Sequence, residues 1–190
     1  MNAQDFEKYD GLIFDCDGTL ADSMPLHFVA WRETLARYGI DFDEARFYSM
    51  GGMPSSSIVQ ILSSEQGKPV DALAVAVEKE QHFQSLLDRV EPKTAVVELA
   101  QTFAGRKPMA VASGSGREVV MRQLEVLGIA NLFSAIVTAE DTQKHKPEPD
   151  VFLEAARQLN LSPTRCVVFE DSPLGFQAAT AAGMDWIDVR

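Results

Sequence analysis

Five short apolar runs, 11–14, 108–112, 135–138, 165–169 and 185–189, punctuate the chain between turn signals. Each is four to five residues long and poor in polar alternation. That is the pattern of strands buried on both faces. Helical spacing fills the intervals at about 93–104, 115–127, 150–160 and 174–182. Gly128 and Gly183 follow two of these stretches, where a residue that readily turns left-handed ends a helix. Strand and helix alternate, so the pattern predicts an α/β fold: a Rossmann-like parallel five-stranded sheet flanked by helices, joined by right-handed crossovers.

One interval breaks the alternation. Between Pro25 and Val90 there is no strand pattern. Phe28, Trp31, Leu35 and Tyr38 fall at helical steps, with Ser23 as the expected N-cap and Gly39 as the stop. Ile58, Ile61 and Leu62 repeat the spacing. So do Val70, Leu73 and Val77, then Phe83, Leu86 and Leu87. The expected organisation is a discontinuous α/β core, 1–24 and 90–190, with a small α-helical cap domain, 25–89, inserted after the first strand. The charged, proline-containing stretch 88–93 is the expected linker on re-entry.

Composition narrows the class. The chain has 190 residues, 46% apolar and 24% charged, close to an average globular protein. No apolar run approaches the ~18 residues of a membrane span. The start, MNAQDFEKYDG, carries no signal-peptide pattern. The only cysteines, Cys16 and Cys166, lie in apolar runs and read as buried core thiols, so a reducing, cytoplasmic location is expected. Seventeen basic against 28 acidic residues give a net charge of −11. That balance argues against nucleic acid, whose phosphates need a basic face. It leaves room for a small phosphorylated ligand held by a local positive group. No membrane partner is expected, and a monomer is the expected state.

In open parallel sheets ligands bind beyond the carboxyl ends of the strands. Those ends carry Asp15, Asp17, Gly18 and Thr19; then Ser113, Gly114 and Ser115; then Lys146 in the stretch His145-Lys146-Pro147; then Glu170 and Asp171. Four carboxylates brought together need a cation, because two like charges about 4 Å apart repel by roughly 4 kcal/mol at an effective dielectric of 20. Hard oxygen donors that leave room for water and phosphate favour Mg²⁺. Ser113 and the amides of Gly114 and Ser115, placed where the next helix begins, read as an anion site. Lys146 adds a fixed positive charge. Together these groups describe a phosphoryl cradle.

The residues Asp15-Cys16-Asp17-Gly18-Thr19 resemble the first signature of haloacid dehalogenase superfamily phosphotransferases. Ser113, Lys146 and Glu170-Asp171 resemble the second, third and fourth motifs, in order. The helical insert is similar to the small cap of the beta-phosphoglucomutase-like branch. Within it the chain looks most like bacterial fructose-1-phosphatase and 6-phosphogluconate phosphatase proteins of similar length. The resemblance implies a Mg²⁺-dependent phosphatase acting on small sugar phosphates of that kind. It implies that Asp15 attacks phosphorus and forms an aspartyl phosphate, and that Asp17 is the general acid and then the general base. Their spacing of two on an extended chain would place both on one side. Mg²⁺ would be held by the Asp15 carboxylate, the Asp17 backbone carbonyl and the Asp171 carboxylate. Glu170 is either a further ligand or a group that holds the others. Ser113, Gly114, Ser115 and Thr19 would serve the phosphoryl group, and Lys146 would pair with Asp15.

In the cap, His27 and Trp31 share a helix face. His27 reads either as a substrate-side group or as a satisfied core histidine. The stretch Gly51-Gly52-Met53-Pro54-Ser55 is an expected loop, in which Gly52 could let the backbone approach the sugar. The alternative reading is a beta-phosphoglucomutase-type sugar phosphomutase. In the mutases a basic residue of this loop holds a second phosphate. Here the matching position is Ser55, and no Lys or Arg occurs between Tyr48 and Gln66. A phosphoacceptor receiver domain is disfavoured, because the third strand ends Ile136-Val137-Thr138-Ala139-Glu140 with no Asp in place.

Overall fold

A computed structural model describes residues 1–51 and 53–190. The chain divides into two compact units, Met1–Asp22 with Val90–Arg190, and Ser23–Arg89. The first division falls two residues before the expected boundary. In chain order the elements are β1 (Gly11–Phe14), α1 (Met24–Ala36), α2 (Glu44–Ser49), α3 (Ser55–Glu65), α4 (Ala72–Leu86), α5 (Thr94–Phe103), β2 (Met109–Ala112), α6 (Arg117–Val126), β3 (Ala135–Val137), α7 (Asp150–Gln158), β4 (Cys166–Glu170), α8 (Pro173–Ala181) and β5 (Asp185–Asp188).

The larger unit is a five-stranded parallel sheet in the order β3-β2-β1-β4-β5. Ile13 lies opposite Ala110 on one side and Val168 on the other. The strands alternate their side chains between two packed faces. One face sets Ile13, Ala110, Ala112 and Val168 against Val151, Phe152, Ala155 and Ala178 of α7 and α8. Alanines on both sides let the helices approach closely. On other strand positions aromatic rings fill the space: Phe14 stacks on Phe169 at 4.7 Å, and Phe6 meets Phe169 edge-on at 5.1 Å. The central strands β1, β2 and β4 are buried throughout, which is why their sequences read as unbroken apolar runs. β5 is an edge strand and mostly exposed, with an Asp at each end. Cys16 and Cys166 are fully buried. Burial first, and then nearby carboxylates, push the Cys16 thiol far up and that of Cys166 to about 11, so neither is a thiolate near neutral pH.

Among its described residues the smaller unit forms helices and no strand. Trp31, Leu35, Phe42, Phe47, Ile58, Leu62, Val75 and Ala76 form its core. Three local expectations change here. Ser23 occupies the N-cap of α1, but its side chain makes no capping bond, and Pro25 stands in the first turn. The short α2 has no counterpart in the sequence pattern; Asp43 caps it by accepting from the Arg46 amide at 2.8 Å. The phase of α4 is also different. Val70 precedes it, while Leu73 and Val77 are 71% and 56% exposed. Its buried face is Val75, Ala76, Lys79 and Phe83. Apolar residues lie on two sides of this helix, so spacing alone fits either phase, and the Asp71 cap and the fit of Phe83 decide it. Among the described residues, no helix is long and apolar enough to cross a membrane.

Candidate active site

The strand order reverses about β1 and β4, and both strands lead into acidic residues. Asp15 follows β1 directly and is 5% exposed; its amide donates to the Phe169 carbonyl at 3.0 Å. Glu170 is the last residue of β4 and Asp171 follows it. The lysine arrives from the segment between β3 and α7. Lys146 Nζ lies 2.6 Å from Asp15 Oδ1 and 2.7 Å from Glu170 Oε2, with Phe152 below it at 4.9 Å from the ring centre. Ligand oxygens of Asp15, Glu170 and Asp171 all lie within 4.8 Å of one another.

Three carboxylates therefore meet one ammonium. Burial works against the Lys146 charge, but Asp15 and Glu170 outweigh it and hold the group above its ordinary value. Burial also opposes Glu170, yet Lys146 and Ser172 keep it ionised below its ordinary value. The surplus negative charge falls on the other two. Burial, then Glu170, raise the Asp15 carboxyl well above the usual range and push Asp171 up to about 7. The donor set is all oxygen and short of positive charge, which is what a hard divalent cation supplies.

The four carboxylates do not share one role. Glu170 is spoken for: Oε1 accepts from the amides of Asp171 and Ser172 at 3.2 and 3.0 Å and from the Ser172 hydroxyl at 2.8 Å, while Oε2 takes Lys146. A glycine is required at position 175, because a Cβ there would overlap the Glu170 side chain. Gly18, at φ +80°, is required by the turn after β1, and a Cβ there would overlap Asp171. Thr19 is fully buried and its hydroxyl is 3.4 Å from Asp171 Oδ1, so it steadies that carboxylate. Asp17 faces different partners from Asp15: Ser115 Oγ donates to it at 2.6 Å and Gln123 Nε2 at 2.9 Å.

The expected anion site is rearranged. Helix α6 begins at Arg117, so Ser113, Gly114 and Ser115 form the loop before it. Ser113 is 1% exposed and its hydroxyl accepts from the Ser115 amide at 3.0 Å, so that amide is not free as expected. The Arg117 amide at the helix start is filled by the Glu140 carboxylate at 3.1 and 3.0 Å. Glu140 is in turn fastened to the Thr138 hydroxyl at 2.8 Å. Gly114 is exposed, and a Cβ there would meet open space. Sequence reasoning missed both Glu140 and Gln123. The one visible signal was Gln123 itself, a polar residue beside Leu124 and three positions from Val120 on the buried stripe of α6.

In the helical unit His27 stacks on Phe83 with ring centres 3.6 Å apart, and its Nδ1 lies 2.9 Å from Lys79 Nζ. Lys79, only 3% exposed, also reaches Glu80 at 3.1 Å and sits over the Trp31 ring. Ser55 Oγ donates to the same Glu80 oxygen at 2.8 Å. Gly52 lies outside the described residues.

The profile of haloacid dehalogenase-like hydrolases matches residues 12–189. The chain is 44% identical over 186 residues to the fructose-1-phosphate phosphatase YqaB of Escherichia coli, covering 97% of this chain and 98% of that one. It is 30% identical over 177 residues to the validoxylamine A 7'-phosphate phosphatase of Streptomyces hygroscopicus, covering 93% and 83%. The crystal structure of a beta-phosphoglucomutase from Clostridium difficile superposes with a TM-score of 0.80 at 26% identity, covering 95% of this chain and 84% of that one. The sheet with its strand-end acids, the nearly full-length profile match and these relatives together establish that the chain belongs to the haloacid dehalogenase-like hydrolase family.

Proposed function

We propose that this protein is a Mg²⁺-dependent phosphatase of small sugar phosphates, of the fructose 1-phosphate or 6-phosphogluconate type. The observation that carries it is the largely buried cluster of Asp15, Glu170 and Asp171 at the strand ends with Lys146 between them, short of positive charge. The similarity to fructose-1-phosphate phosphatase YqaB supports the substrate class.

In the proposed reaction an Asp15 carboxylate oxygen attacks phosphorus, and the bond from phosphorus to the sugar oxygen breaks. Asp17 gives its proton to that oxygen, and the sugar leaves as an alcohol. Water then attacks the aspartyl phosphate. Asp17 takes back a proton, phosphate departs, and Asp15 is regenerated. Lys146 holds Asp15 in place and offsets charge on the transferred group. Asp15 and Asp171 would hold Mg²⁺, together with the Asp17 backbone carbonyl; Glu170 holds Lys146 and the 171–172 backbone instead. Bound there, Mg²⁺ supplies charge stabilisation to the phosphoryl oxygens. Ser113 and Gly114 are the phosphoryl-binding edge of the loop. The helical unit is assigned the choice of sugar, on the His27, Lys79, Glu80 and Ser55 network it gathers.

Simple hydrolysis is favoured over mutase activity by two features. Ser55, where the mutases carry a basic residue, donates to a carboxylate. The amide at the start of α6, a ready site for a second anion, is filled by Glu140. The test is phosphate release from fructose 1-phosphate, 6-phosphogluconate and β-glucose 1-phosphate. Release with Mg²⁺ that disappears in EDTA is expected. Conversion of β-glucose 1-phosphate to the 6-phosphate on adding a sugar bisphosphate, without release, would instead establish a mutase.

The same cluster predicts how metal and pH act on stability. Folded Asp171 keeps, up to about pH 7, a proton that the unfolded chain releases near pH 4, and burial holds the Asp15 proton well above its ordinary range too, so metal-free stability falls as pH rises above about 4. A cation takes the place of those protons. Mg²⁺ at about 100 times its Kd should add about 2.7 kcal/mol, or roughly 5–10 °C of Tm, at pH 8. At pH 5 the gain should be much smaller. Equal shifts at both pH values in a thermal melt would show that the raised carboxyls are not the binding site.

A further inference from the structure

Gln123 is fully buried on α6, in the stripe it shares with Val120 and Leu124. Its Nε2 donates to Asp17 Oδ1 at 2.9 Å, 106 residues away in the chain. Its Oε1 is buried and has no hydrogen-bond partner. Rotating the amide would set that oxygen against Asp17 Oδ1 with no hydrogen between them whenever Asp17 is ionised, so the donating orientation is set by Asp17. A buried carbonyl without a partner is costly, and a leucine of similar size would avoid the cost. The position therefore gives up stability to keep one donor. That donor points at Asp17, which is not deeply buried, and together with Ser115 Oγ at 2.6 Å it leaves each Asp17 oxygen held from a fixed direction.

We propose that Gln123 is a positioning residue for Asp17, fixing where its carboxyl meets the leaving sugar oxygen. The inference rests on the reading of Asp17 as acid and base given above. Misplacing an acid matters most when the leaving group needs a proton. A sugar alkoxide needs one; p-nitrophenolate does not. Since kcat/KM reports only the steps up to phosphoryl transfer to Asp15, comparing the two substrates isolates the leaving-group step.

The experiment uses the full chain with Mg²⁺ and compares Gln123→Leu, Gln123→Met and Gln123→Glu with the parent, on fructose 1-phosphate and on p-nitrophenyl phosphate. Gln123→Glu keeps the shape and replaces the amide donor by a titratable carboxyl; Gln123→Met removes the donor and guards against a Leu variant that does not fold. All three are expected to lose about 10- to 100-fold in kcat/KM on the sugar phosphate and under about threefold on the aryl phosphate. KM should stay within about twofold, and the Tm of Gln123→Leu should be unchanged or higher. Equal losses on both substrates would make Gln123 a merely structural residue and overturn the proposal, as would no loss on either. Asp17→Ala is run beside them. If it discriminates between the substrates and the Gln123 variants do not, Asp17 keeps its role and Gln123 loses its own. If Asp17→Ala does not discriminate either, the acid role of Asp17 itself fails.

Discussion

Replacing Asp15 with Asn is expected to lower phosphate release by about 10⁴-fold or more while leaving the fold intact. The nucleophile is lost outright, and no neighbour can replace it: Glu170 has its oxygens committed to Lys146, Ser172 and the backbone. The stability side of the prediction is less intuitive. Burial and the Glu170 charge disfavour an ionised Asp15. Asn keeps an oxygen for Lys146 at the place of Oδ1 and removes one surplus negative charge. In the absence of Mg²⁺ at pH 8, Asp15→Asn should therefore melt at the same temperature as the parent or higher. Phosphate release and a thermal melt on the same preparation check both halves. Turnover at the parent rate would overturn the covalent mechanism; a large drop in Tm would overturn the electrostatic account of the cluster.

Lys146→Met should produce the largest loss of stability of any single change in the site. The side chains of Lys146, Asp15 and Glu170 are 11%, 7% and 1% exposed, so removing the ammonium strands two buried carboxylates. Breaking a buried pair from one side costs about 3–5 kcal/mol. For a chain of this length that is roughly 6–20 °C of Tm. The sign with pH follows from the charge. At pH 5 the stranded carboxyls can take up protons and soften the loss; at pH 8 they cannot, so the gap from the parent should widen as pH rises. Lys146→Met with Glu170→Gln should recover part of the stability but not the activity. A Lys146→Met melt within about 2 °C of the parent at pH 8 would mean that the cluster is solvated rather than buried.

Much of this molecule is legible in its residues taken in order. The central strands are buried on both faces, so β1, β2 and β4 stand out as apolar runs whose ends fall within one residue of the pattern. The helices of the α/β unit follow from helical spacing and from glycine stops at 128 and 183, both at positive φ. Asp15, Lys146, Glu170 and Asp171 were legible as candidates because each sits at a strand end, just past one or in the loop beyond, where this topology gathers its ligands. Local features are readable because near neighbours along the chain decide them.

What the tertiary structure decided is which of those residues meet. Lys146 reaches Asp15 across 131 positions, Thr19 reaches Asp171 across 152, and Gln123 reaches Asp17 across 106. None of these pairings has a period or a spacing; they exist because the crossovers set β1 beside β4 and β2. The same is true of Glu140, which accepts from the Arg117 amide at the start of α6. It holds too for the phase of α4, where two apolar faces compete and packing in the helical core selects Phe83 and the buried Lys79 over Leu73 and Val77. Residue types and their order determined the fold class and the chemical inventory, because those depend on local burial and backbone preference. The division of labour among four carboxylates required three dimensions, because charge and hydrogen bonding act through space and not along the chain.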